Sequence, residues 1–169
     1  HIPSAQVKSC LILAALYMKG ESIISEDIKT RDHTERLLKY MEYPISIDKE
    51  IVRLQGCKNI VAKDIDIPSD ISSAAFFIVA ALIKRDSDIT LNNIGVNPLR
   101  TGIIDILLKM GANIKLTNCR TICNEPVADI KVKYSQLTPI NISGDIISRL
   151  IDELPVLFIA CATCNGLSL

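Results

Sequence analysis

SSAAFFIVAALIKR (Ser72–Arg85) is apolar at nearly every position and has Asp and Ser at its start, the pattern of a capped helix that is buried on most sides. SDITLNNIG (Ser87–Gly95) is strand-like, RTGIIDILLKMG (Arg100–Gly111) is helical with Gly111 as its stop, and ANIKLTN and ADIKVKY form the strand pair that follows. The same order occurs upstream. AQVKSCLILAALYMKG (Ala5–Gly20) is a helix, ESIISEDIK a short strand, TRDHTERLLKYM a helix with Thr30 as its cap, and PISIDKEIVRLQG (Pro44–Gly56) a hairpin. A third copy starts near Asp152, where ELPVLFIACATCNGLSL matches the helix and the strand after it, then stops at Leu169. A period of about 65–80 residues exceeds that of common solenoids and predicts duplicated α/β units. The first copy lacks a strand before its helix and the third is incomplete, so both ends read as cut.

The chain has 169 residues, the length of one domain or of pieces of two, and is 49% hydrophobic with 4% aromatics and no Trp. Aliphatic side chains and Ala must therefore fill the core. Mean hydropathy is positive, yet the longest apolar run, Ala74–Ile83, is far shorter than the roughly 20 residues that span a bilayer. No secretory signal pattern is present, and the expectation is a soluble cytoplasmic protein with no membrane partner. Basic and acidic residues balance at 19 each, which excludes a broad field for nucleic acid; an anionic ligand has to be held by a few aimed groups. The six cysteines read as reduced thiols, with Cys10 and Cys161 as small buried hydrophobes. Cys119/Cys123 and Cys161/Cys164 have short spacings but no Gly-rich knuckle or nearby His, and no metal or cofactor is expected.

Several helix starts carry polar groups suited to anions. SAQVKS (Ser4–Ser9) sets a hydroxyl, an amide and an ammonium where free N–H groups and the positive dipole end face outward. On the residues alone an ordinary capped helix is the favoured reading. TRDHTE (Thr30–Glu35) offers Arg31 as a two-pronged anion ligand, or simply a solvated first turn in which Glu35 is a capping partner. In DISSAAFF, Ser72 and Ser73 are expected to serve the helix, and Asp70 either the helix or a ligand. In RLIDELP, Asp152 and Glu153 point in different directions, one to cap and the other toward a cleft. No Gly-rich phosphate loop, nucleophile elbow or HExxH occurs.

Taken in order, SAQVKS, TRDHTERLL, DISSAAFFIVAALI, NPLRTGIIDILLKMGANI and ISGDIISRLIDELPVL resemble the 5-enolpyruvylshikimate-3-phosphate (EPSP) synthase family along essentially the whole chain, in wording nearest its bacterial RDHTE-type branch. The resemblance implies repeated βαβαββ units of the two-lobed enolpyruvyl transferase fold, an inverse α/β architecture with helices packed inside each lobe, incomplete here. It implies residues 1–69 as the closing part of the first lobe and 70–169 as the opening part of the second, with Asp70 marking the crossover. The implied reaction moves the carboxyvinyl group of phosphoenolpyruvate to the 5-hydroxyl of shikimate 3-phosphate, on the way to chorismate. Ser4, Ala5, Gln6 and Arg31 would bind shikimate 3-phosphate, Gln6 would also meet phosphoenolpyruvate, and Asp152 would sit beside the 5-hydroxyl as orienting group or base. The full-length enzyme would be monomeric. The family's remaining Lys and Arg motifs would lie outside this stretch, and the resemblance implies that it covers roughly two-fifths of a full chain and is inactive alone.

One departure stands out: Ser69 occupies a position where the family usually has Gly, at a cost of about 1 kcal/mol or more if φ must be positive there. The related UDP-N-acetylglucosamine enolpyruvyl transferases share fold and chemistry but lack SAQVKS and TRDHTE in this form. A non-catalytic module that kept the fold is a further reading, opposed by the retention of Gln6, Arg31 and Asp152.

Overall fold

The computed structural model describes residues 3–169, the side chains of residues 145 and 148 excepted. The chain divides into two compact units, the first comprising residues up to Asp66 with Cys123–Glu125, the second Ile67–Ile122 and Pro126–Leu169.

The first unit runs α1 (Ala5–Ala15), β1 (Glu21–Ser25), α2 (His33–Tyr40), β2 (Ile45–Asp48) and β3 (Ile51–Gln55). Its sheet has the order β1-β3-β2, antiparallel throughout, with Ile24 opposite Val52 and Ile45 opposite Leu54. Along β3, Val52 and Leu54 face inward while Arg53 and Gln55 face water, the period of two that one covered face requires. Ile12 and Ala15 of α1 and Leu38 of α2 complete the core with Tyr43, Ile45, Val52 and Leu54. At the end of β3, Gly56 passes so close to the end of α1 that a Cβ there would collide with the carbonyl oxygens of Ala15 and Met18.

The second unit repeats the order with α3 (Ile71–Ile83), β4 (Asp88–Gly95), α4 (Gly102–Lys109), β5 (Asn113–Ile122) and β6 (Glu125–Lys133), and its sheet has the order β4-β6-β5. α4 ends where Gly111 takes φ +90, the left-handed turn expected of that glycine. Before α3, Ser69 forms a parallel bridge to Ile94 of β4: its N–H donates to Asn93 and its carbonyl accepts from Gly95. This is the first strand of a βαβ unit, reduced to one residue. Ser69 is therefore bridged in a strand-like setting and is not among the residues with positive φ, so the strain anticipated for a non-glycine residue there does not arise.

α5 (Leu154–Ala162) packs on α3 through Val156, Leu157 and Ala160. The strand expected after it does not form as a separate element. Instead Leu169 exchanges two hydrogen bonds with Ile140 and Ile142, in the same parallel pattern that joins Ser69 to β4. The Thr30 cap is also corrected, since α2 begins at His33 with Asp32 in the cap position. Among the described residues no helix is long and apolar enough to cross a membrane.

Candidate functional site

Ser4 stands at the cap of α1 in extended conformation, and its Oγ accepts the Val7 N–H at 3.3 Å. The first turn beyond it presents Ala5 and the exposed Gln6. These two residues and Arg31 line one depression of about 520 Å³, together with Ser9, Cys10, Leu13 and His33. Helix-end N–H groups and a guanidinium on one concave surface are what a phosphate or carboxylate needs. Ser4 lines a second depression of about 390 Å³ in the same unit, with Lys8 and Glu26. Cys10 is exposed rather than buried, because it lies on the side of α1 away from Ile12 and Ala15.

The Lys8 ammonium is engaged by partners within the first unit. Lys8 is 4% exposed, and its Nζ lies 2.9 Å from both Glu26 Oε1 and Glu35 Oε1 and donates to the Thr30 carbonyl at 3.2 Å. Glu26 closes the cluster through its other oxygen, which accepts the Thr30 N–H at 3.1 Å and hydroxyl at 2.6 Å. Glu35 is 2% exposed and is no capping partner; it shares the inward stripe of α2 with Leu38. A signal for both residues was available in the sequence. Lys8 falls four and seven residues before Ile12 and Ala15, and Glu35 three before Leu38, so each ion lies on an apolar stripe.

In the second unit Asp152 is exposed on a 3-10 turn (Ile151–Glu153) immediately before α5. Its neighbour Glu153 turns inward, 4% exposed, and accepts a short hydrogen bond from the Ser72 hydroxyl. Ser72 in turn accepts from Arg100 Nη2 at 2.7 Å, and the same nitrogen lies 3.0 Å from Asp70 Oδ1. Ser72 thus serves a tertiary network rather than the cap of its own helix. Asp70 is the cap of α3, taking the Ser73 N–H at 2.9 Å and hydroxyl at 3.1 Å on Oδ2. Burial works to raise the Asp70 carboxyl, but the Ser73 amide and the Arg100 guanidinium prevail and hold it below the usual carboxylate range. No local spacing announces the Ser72–Glu153 pair, whose members are 81 residues apart.

Repeated α/β units whose helix starts carry the polar side chains define the class of protein, a fold shared with the enolpyruvyl transferase NikO from Streptomyces tendae at a TM-score of 0.70 and 16% identity, over 96% of this chain and 38% of that one. The model of the family described as EPSP synthase (3-phosphoshikimate 1-carboxyvinyltransferase) matches residues 1–169, and the chain belongs to that family. The chain is 52% identical to 3-phosphoshikimate 1-carboxyvinyltransferase of Ruthia magnifica over 98% of its length, and 49% identical to that of Hydrogenovibrio crunogenus over 96%. It superposes on EPSP synthase from Acinetobacter baumannii with a TM-score of 0.92 and 44% identity, over 99% of this chain and 38% of that one. The chain spans 38% of the length of both curated relatives.

Proposed function

We propose that this chain is part of a 3-phosphoshikimate 1-carboxyvinyltransferase of the RDHTE-type branch, which transfers the carboxyvinyl group of phosphoenolpyruvate to the 5-hydroxyl of shikimate 3-phosphate and releases phosphate. The observation that carries this reading is the convergence of Ala5, Gln6 and Arg31 on one depression at the start of α1, in a chain that matches the family along its whole length. Ser4, Ala5 and Gln6 bind shikimate 3-phosphate with Arg31, which takes an oxyanion in two-pronged fashion, and Gln6 also meets phosphoenolpyruvate. The chain crosses from the first lobe to the second near residue 69. The complete enzyme works as a cytoplasmic monomer.

The hydroxyl oxygen of one substrate bonds to the substituted enol carbon of the other, and the methylene carbon gains a proton. Loss of phosphate and of a methyl proton then restores the double bond as an enol ether. Within this chain Asp152 takes the hydroxyl proton, a role supported by its exposure at the start of α5 while Glu153 is drawn inward. Steady-state kinetics of the complete protein test this: Asp152→Asn is expected to lower kcat by about 10²–10⁴ with little change in KM for shikimate 3-phosphate. An unchanged kcat would remove Asp152 from the mechanism.

A further inference from the structure

We infer that the buried Lys8–Glu26–Glu35 cluster is a positioning device that fixes Arg31 relative to the first turn of α1 and so sets affinity for shikimate 3-phosphate; the inference rests on the reading of Arg31 given above. Three segments of the first unit meet at Lys8 Nζ: α1 through Lys8 itself, the loop after β1 through Glu26 at 2.9 Å, and α2 through Glu35 at 2.9 Å. The residue directly before Arg31 is held most tightly. The Thr30 carbonyl accepts from Lys8, while its N–H and hydroxyl both donate to Glu26. All three polar groups of Thr30 are thereby tied to a cluster whose base is one turn along α1 from Ala5 and Gln6. On the outer side, Ser9 Oγ and Thr34 Oγ1 lie 2.7 Å apart, a second tie between α1 and α2 beside the same depression.

The chemistry of the cluster argues for fixed geometry rather than general stability. Burial of a lysine between two carboxylates carries a large desolvation cost, and apolar residues of the same volume often stabilise a core as well or better. Among the described residues Glu35 Oε2 has no hydrogen-bond partner, so the arrangement is not one that maximises satisfied polar groups. What ion pairs supply and apolar packing does not is direction. Each of the three bonds from Lys8 constrains both the distance and the angle at which the Thr30–Arg31 segment approaches α1. Ser4, Ala5 and Gln6 on the helix and Arg31 on the loop come from separate segments, and the affinity of their combined site depends on that spacing.

The test is a double-mutant cycle on the complete protein, read by calorimetric titration with shikimate 3-phosphate. The Lys8→Met/Glu35→Gln pair removes one positive and one negative charge, so the formal charge of the cluster is kept. It is expected to weaken binding by about tenfold or more, yet by less than about twofold when Arg31→Ala is already present, because it acts through Arg31. Binding within about twofold of wild type in a folded Lys8→Met/Glu35→Gln protein, or a loss that multiplies with that of Arg31→Ala, would overturn the inference. If Arg31→Ala alone binds as tightly as wild type, it is the assignment of Arg31 that fails, and the inference with it. Should the paired variant melt below the titration temperature, Thr30→Val takes its place. It removes only the hydroxyl bond to Glu26, leaves the buried charges intact, and is expected to show the same dependence on Arg31.

Discussion

The Ser72 hydroxyl stands between a buried carboxylate, Glu153, and the Arg100 guanidinium. Its removal leaves Glu153 without its hydroxyl donor at 4% exposure, so Ser72→Ala is expected to destabilise the complete protein by about 1–3 kcal/mol in urea unfolding. A loss below about 0.5 kcal/mol would show that Glu153 finds another donor. Asp70, in the same network, gives a pH prediction. Its folded-state carboxyl lies below its unfolded value, so its contribution is present above the ordinary carboxylate pKa of about 4 and fades as pH falls through the lower folded value. Thermal midpoints of wild type and Asp70→Asn should therefore differ most near neutrality and converge in acid; a difference that persists or grows in acid would contradict this sign. At this scale the sequence revealed the polar residues and, through the apolar stripes of α1 and α2, the side on which Lys8 and Glu35 lie, but not their partners. Lys8, Glu35 and Ser72 sit at helix starts, where capping and ligand binding are the local options, and long-range partners took them instead.

Elements were more legible than residues. Strand alternation along Ile51–Gln55, the apolar runs of α1 and α3 and the Gly111 stop each rest on a local period or a local dihedral, and the order helix–strand–helix–hairpin follows twice. What failed depended on neighbours. Thr30 has the chemistry of a cap, but Glu26 holds it two residues outside the cap position, and the strand after α5 is cut to a pair of hydrogen bonds. Gly56 is the element-scale point most open to test. The end of α1 and the end of β3 touch there without room for a side chain, and Cys57 N–H donates to Leu16 O at 2.8 Å across the same junction. Gly56→Ala has to push backbone from backbone, and a loss of about 1–3 kcal/mol or more is expected, read from the unfolding midpoint. Near-neutral behaviour would mean that the α1–β3 junction gives way easily.

Across the whole molecule the helices are more apolar than their cover. Leu11 and Leu13 on α1, Phe76 and Phe77 on α3, and Phe158 and Ile159 on α5 are each at least 50% exposed. Helices of this kind are those of a protein interior, which fits a chain spanning 38% of the length of its curated relatives. Expressed as these 169 residues alone, the protein is expected to self-associate or bind a hydrophobic dye; a sharp melt of a monodisperse monomer would oppose that. The start of α1 and Arg31 are proposed above as a site for shikimate 3-phosphate. Calorimetric titration of the complete protein with that compound, with and without Arg31→Ala, tests it most directly. Saturable binding by wild type that weakens about tenfold or more in the variant is expected; equal affinity in the two proteins, or no binding by folded wild type, would contradict the proposed site.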